Sequence, residues 1–187
     1  MKQATILLWC MLMGMFTFAQ GDAFSASSGS FSLENSEKVT FNSPAEIVEH
    51  IMGITALSTS FEIKEGKVRN IEASISKRKR VITYNPEYLK AVKAISGSDW
   101  AVVALFAHEI AHHLNGHTLG RKGSRPNLEL EADEFAGFIL NRLGASLEES
   151  TQVMNIIAST KASKTHPARK DRVEAIERGW ERAEDLW

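Results

Sequence analysis

The sequence predicts an α+β fold that is mostly helical, with a small antiparallel sheet beside one central helix. The first observation is an almost unbroken apolar run from Trp100 to Ala107, because a helix that is apolar on all sides belongs inside a domain. The second is the alternation of apolar and polar residues between Phe61 and Tyr84, which is typical of β-strands. Helix start and stop signals across the rest of the chain are the third. Together they predict one domain over residues 39–187.

Residues 1–19 are typical of a signal peptide. Lys2 precedes a thirteen-residue apolar run from Ile6 to Phe18, shorter than the ~20 residues that a transmembrane helix needs. Small residues at both cleavage-defining positions favour a cut after Ala19. The sequence therefore predicts an exported protein, periplasmic or secreted, and an uncleaved membrane anchor is the alternative.

Residues 20–38 contain six Ser and predict a flexible segment.

The cysteine content and the charge balance limit the classes of protein to which the chain can belong. The single Cys10 lies in the predicted signal peptide, so a disulfide framework is excluded from the mature chain. The 22 Lys and Arg nearly balance the 23 Asp and Glu, and this balance does not favour a nucleic-acid partner. Nothing in the sequence indicates an oligomeric state.

The elements follow in order from Ser43, which is predicted to cap a helix that begins at Pro44. A first strand begins at Phe61 and a second ends at Ser76, with the basic residues 77–80 as the turn to a third strand. The side chains of the second strand expected to point inward are Ile71, Ala73 and Ile75. The basic turn is either a solvated hairpin tip or a contact for acidic substrates or anionic lipid, which would give peripheral membrane association.

Five further helices are predicted from capping residues and periodicity. Their ranges are 85–95, 99–116 with Ser98 as N-cap, 127–143, 146–157, and from Pro167 onward. The loop at 118–126 is rich in Gly and basic residues and is predicted to be a mobile flap.

The central helix carries the sequence His108-Glu109-Ile110-Ala111-His112. Residues i and i+4 lie on one helical face, so His108 and His112 can point imidazole nitrogens at one metal ion. Glu109 is turned about 100° round the axis, which suits a general base acting on a water held by the metal. An unpaired His and Glu would be costly in so apolar a helix, which favours a functional site.

A catalytic zinc site needs a third protein ligand. His117 lies near, but it is out of register with the H-E-x-x-H-x-x-G-x-x-H pattern, and both it and His113 are predicted to be structural or surface residues. On the next predicted helix, Glu129 could bind zinc while Asp133 accepts the outer N–H of a ligating His. Glu131 points away from Glu129 and is the weaker candidate.

The motifs H-E-x-x-H at 108–112 and E-x-x-A-D at 129–133 resemble those of the gluzincin metallopeptidases, and more narrowly the family of HtpX heat-shock proteases and CAAX prenyl proteases. The resemblance covers roughly residues 66–176. It implies a zincin-type domain with one zinc per chain. The implied roles are zinc ligands for His108, His112 and Glu129, catalytic base for Glu109, and support for Asp133.

The resemblance extends to Thr165-His166-Pro167, which is followed by Arg172-Val173 as in the C-terminal part of that family. It implies His166 and Arg172 as candidate donors to the reaction's oxyanion. His166 could instead fill the fourth zinc position, or cap the last helix. The strand with Asn70 and Ala73 resembles the family strand beside the active-site helix, although Ile71 replaces an Ala. Such an edge strand could bind a substrate peptide by β-augmentation.

These observations predict a zinc-dependent metalloendopeptidase with protein or peptide substrates. It is expected to hydrolyse peptide bonds in exported or envelope proteins. A non-catalytic zinc-binding chaperone or adaptor is one alternative, although Glu109 argues against it because a structural site needs no base. A hydrolase of another amide, such as that of peptidoglycan, is the second alternative.

Overall fold

A computed structural model of the chain describes residues 40–58, 61–119 and 125–186. The predicted signal peptide and the Ser-rich segment lie outside the described residues. Residues 120–124 of the predicted flap also lie outside them. The elements are α1 (Pro44–Thr55), β1 (Phe61–Glu65), β2 (Ile71–Ser76), β3 (Lys79–Tyr84), α2 (Pro86–Ser96), α3 (Trp100–Leu114), a 3₁₀ turn (His117–Leu119), α4 (Pro126–Leu143), α5 (Leu147–Ile157) and α6 (Arg169–Glu184). The mostly helical α+β prediction is confirmed.

Helix starts follow the capping residues in most places. Ser43 accepts a hydrogen bond from the Glu46 amide at 3.2 Å, and Ser146 forms a complete capping box at the start of α5. At α3 the N-cap is Asp99 rather than the predicted Ser98, although the Ser98 hydroxyl accepts from the Trp100 amide at 3.2 Å.

The sheet is mixed, so the prediction of a purely antiparallel sheet is wrong. β2 and β3 form an antiparallel hairpin, but β1 pairs parallel with β3 in the strand order β1-β3-β2. Gly66 does not turn β1 back onto β2. Its amide donates to the Tyr84 carbonyl at 3.0 Å, and the Asn85 amide donates to the Asn70 carbonyl at 2.7 Å. The connection therefore crosses the end of β3 and places β2 on the far side.

The hairpin tip differs from the prediction in two ways. Its turn has two residues, Lys77 and Arg78, both with positive φ, instead of four. Ile75 is 41% exposed rather than inward, because it pairs with Arg80 close to the tip. Lys79 is exposed as well, and contact of this basic tip with anionic lipid stays a prediction.

The apolar half of α3 forms the centre of the core. Every side chain from Trp100 to Ala107 is buried, and α3 packs against α4, α5 and β2. Within the described ranges, the helices are all too short or too polar to cross a membrane. Anchored by its apolar half, α3 carries its polar final turns toward the sheet.

α4 and α6 pack so closely that glycine is required where they meet. A Cβ added to Gly179 would overlap the Glu134 carbonyl, and one added to Gly137 would overlap the Ile176 carbonyl. This approach brings Arg172 on α6 against Asp133 on α4. α6 begins at Arg169, two residues later than predicted.

Candidate metal centre

Two helices bring the three predicted ligands together. His108 and His112 lie one turn apart on α3, and Glu129 lies in the first turn of α4. The two Nε2 atoms are 3.1 Å apart, while Glu129 Oε2 lies 3.4 Å from His108 Nε2 and Glu129 Oε1 lies 3.5 Å from His112 Nε2. His108 and Glu129 are buried and His112 is partly buried. This group could hold a metal ion.

Asp133 and Arg172 fix the orientation of the His108 ring from its Nδ1 side. His108 Nδ1 donates to Asp133 Oδ1 at 2.8 Å, which leaves Nε2 turned toward Glu129. Arg172 donates from Nε and Nη2 to the two Asp133 oxygens, each at 2.7 Å. Burial alone would raise the pKa of Asp133, but His108 and Arg172 outweigh burial and lower it. Asp133 therefore stays ionised and fixes the orientation of the ring.

The charges of the site favour a bound cation. With neutral imidazoles, the carboxylates of Glu129 and Asp133 outnumber the guanidinium of Arg172 among the described residues of the site, before the Glu109 carboxylate is counted. In the metal-free protein, burial opposes a charge on His108, but Asp133 outweighs it and raises the pKa of His108 to about 10. Burial and the neighbouring His108 lower the pKa of His112 to about 4. A proton on His108 thus supplies positive charge that a metal ion could supply instead.

Glu109 lies beside the ligand group and contacts the sheet. Its Oε2 accepts a hydrogen bond from the Ala73 amide on β2 at 2.6 Å. Burial raises the pKa of Glu109 to about 7, against the opposing effect of His108. The carboxylate is therefore positioned by β2 and can exchange a proton near neutral pH.

His166 lies on the open side of the same group. Its Nε2 is 3.8 Å from Glu129 Oε2, its side chain is 55% exposed, and its Nδ1 is hydrogen-bonded to the Thr165 hydroxyl at 2.9 Å. The predicted alternative that His166 caps the last helix is wrong, because the N-cap of α6 is Ala168. Its roles as oxyanion donor or as occupant of a fourth metal position stay predictions.

The structure places the remaining histidines in different settings. His113 is fully buried, donates toward the Val81 carbonyl at 3.1 Å and stacks on Phe61, in agreement with a structural role. His117 contacts the outer nitrogen of His112 at 2.9 Å and Glu131 at 3.0 Å, a link that the sequence did not predict. The only indication of this contact in the sequence is that His117 lies close to the H-E-x-x-H motif.

A cleft of about 770 Å³ opens over the ligand group. Its lining includes residues 70–75, from the start of β2 and the residue before it, and the apolar residues Leu105, Met154 and Ile157. Glu109, His166 and Arg172 also line it. The cleft therefore brings together the predicted ligands, the predicted base and both predicted donors.

Comparison of the chain with protein-family models, with curated proteins and with solved structures gave no match. The functional argument therefore depends on the geometry of this site.

Proposed function

We propose that the protein is a zinc-dependent metalloendopeptidase of the gluzincin type. The observation that carries the proposal is the convergence of His108, His112 and Glu129 around one point, with Glu109 beside them and a peptide-sized cleft above. Two imidazoles and one carboxylate form the ligand set of catalytic zinc sites that keep one position open.

The separations of the donor atoms fit zinc. Tetrahedral ligands at zinc distances of ~2.0–2.2 Å lie ~3.3–3.6 Å from one another. In the structure the two Nε2 atoms lie 3.1 Å apart, His108 Nε2 lies 3.4 Å from Glu129 Oε2 and His112 Nε2 lies 3.5 Å from Glu129 Oε1, all close to that range. When bound, one zinc ion per chain would act as a Lewis acid, polarising the scissile carbonyl and lowering the pKa of a water.

Glu109 is the proposed general base. Its carboxylate takes a proton from the attacking water and delivers it to the nitrogen of the leaving amine. Burial raises the pKa of Glu109 in the metal-free protein to about 7, and a pKa near the working pH is what general acid–base catalysis requires. The 2.6 Å hydrogen bond from the Ala73 amide holds the carboxylate beside the cleft rather than among the ligands.

His166 is the proposed donor to the developing oxyanion, since its exposed imidazole faces the ligand group across the open side of the cleft. Arg172 lines the same cleft, but its Nε and Nη2 are engaged with Asp133. This engagement favours a positioning role for Arg172, with its positive charge stabilising the site.

The edge of β2 supports a polypeptide as the substrate. Among the described strands β2 pairs only with β3, so it is an edge strand, and five of its residues line the cleft. An extended peptide could pair with this edge through backbone hydrogen bonds, with its side chains against an apolar lining that includes the partly exposed Ile157. Such recognition is largely independent of sequence and suits protein clients of varied composition.

Chelation and re-metallation of the full chain test the proposal. We expect cleavage of unfolded casein to stop after chelator treatment and to return with one zinc per chain. Purified peptidoglycan fragments serve as the second substrate. Turnover of the fragments without casein cleavage would replace the peptidase with an amidase, and zinc binding without either activity would favour a non-catalytic protein.

A further inference from the structure

We infer that His117 and Glu131 form a hydrogen-bonded relay that positions His112 for the metal. The inference rests on the metal-binding part of the proposed function. His112 Nδ1 lies 2.9 Å from His117 Nδ1, and His117 Nε2 lies 3.0 Å from Glu131 Oε2. The relay therefore runs from the cleft outward to a carboxylate on α4.

The order of protons along the relay follows from its last member. A carboxylate can only accept, so a neutral His117 imidazole donates to Glu131 from Nε2 and has an unprotonated Nδ1. That Nδ1 can accept a hydrogen bond, so His112 must donate to it from its own Nδ1–H. His112 then carries its free lone pair on Nε2, the atom that faces Glu129 at 3.5 Å. Acting through His117, the Glu131 carboxylate thus selects the tautomer of His112.

The backbone holds His117 in place for this task. Gly116 has φ +74°, and after this turn the chain enters the 3₁₀ turn that carries His117 back toward α3. The His117 side chain is only 7% exposed, whereas that of Glu131 is 57% exposed. The inner hydrogen bond is therefore shielded from water, and the outer carboxylate remains hydrated.

The two histidine ligands are supported in parallel ways. Asp133 holds His108 directly, and it is itself held by Arg172. His112 is supported through His117, with Glu131 at the end of the chain of hydrogen bonds. Both imidazoles consequently present Nε2 to the same point. Loss of such outer partners typically weakens metal affinity by ~10–100-fold.

The test compares the zinc affinity of His117→Leu and His117→Asn in the full chain, measured by competition with a chromophoric chelator. The Leu variant removes the acceptor, and we expect its affinity to fall ~10–100-fold. The oxygen of Asn can occupy the position of Nδ1 and accept from His112, so the Asn variant should recover most of the affinity. Absorption of bound Co²⁺ gives a second readout, with the Leu variant alone showing an altered spectrum.

Controls separate positioning from folding. His50→Leu removes an exposed histidine on α1 whose Nδ1 contacts the Glu46 carbonyl, and should leave zinc affinity unchanged. Glu131→Ala alters a side chain at the surface and decides the question if His117→Leu does not fold. A several-fold loss in Glu131→Ala supports the relay, whereas wild-type affinity in that variant overturns it. Because affinity is the readout, absence of peptidase activity would refute the proposed function without affecting this result.

Discussion

Replacing Arg172 with Met would leave the Asp133 carboxylate without the guanidinium that pairs with both of its oxygens. Asp133 is 0% exposed and Arg172 is 8% exposed. The methionine side chain keeps most of the apolar stem and removes both 2.7 Å hydrogen bonds. Removing one partner of a buried ion pair lowers the free energy of unfolding by ~3–5 kcal/mol. Because His108 still contacts Asp133, we expect the low end, about 3 kcal/mol.

Urea unfolding of metal-free protein measures this loss. With a slope of ~2 kcal/mol per molar urea, the midpoint should fall by about 1.5 M. The double variant Asp133→Asn/Arg172→Met has no carboxylate at position 133 to leave unpaired and should recover much of the stability. A single variant within about 1 kcal/mol of wild type, or a double variant no more stable than the single, would refute the assignment of a desolvated pair.

The stability difference between wild type and Arg172→Met depends on pH, and its direction follows from the pKa of Asp133. The pKa of Asp133 is lowered in the folded state, so its ionised form stabilises the fold at every pH above its unfolded pKa of ~3.9. This contribution is lost as pH falls through the folded pKa. The stability difference between wild type and Arg172→Met should therefore be full at neutral pH and shrink in strong acid.

Three further predictions concern the ligands, the candidate donor and the helix crossing. Metal analysis should show that Glu129→Ala loses its zinc, whereas Glu131→Ala still binds one ion per chain at saturating zinc. His166→Phe should lower kcat by ~10²-fold with little change in KM if the imidazole stabilises the oxyanion; a rise in activity would place it at the fourth metal position instead. Gly179→Ala should lower the urea midpoint, since overpacking costs ~1–3 kcal/mol, whereas Gly53→Ala, in open space on α1, should stabilise slightly.

Local signals in the sequence predict the helices well, and they identify the three side chains that the structure brings together, His108, His112 and Glu129. Ser43 and Ser146 mark helix starts through side chains that bond their own first turns, so their information is contained within four residues. The i, i+4 spacing of His108 and His112 likewise fixes their shared face once the helix is given. Glu129 could be placed only as a candidate, because its approach to α3 depends on how α4 packs.

Non-local pairing was not predictable in the same way. Alternation marks a strand but does not reveal its partner, so the parallel pairing of β1 with β3 has no sequence signature. The contact between His117 and His112 depends on the turn at Gly116 and on the position of Glu131 in α4. These features arise from tertiary packing, which periodicity and capping rules do not describe.

The most direct test of the proposed function is the variant Glu109→Gln, compared with wild type for zinc content and for cleavage of casein. Glutamine keeps the size and can still accept from the Ala73 amide, but it cannot take a proton from water. We predict one zinc per chain in both proteins and a loss of hydrolysis of ~10²-fold or more in the variant. Turnover comparable to wild type in a zinc-loaded, folded variant would contradict the account.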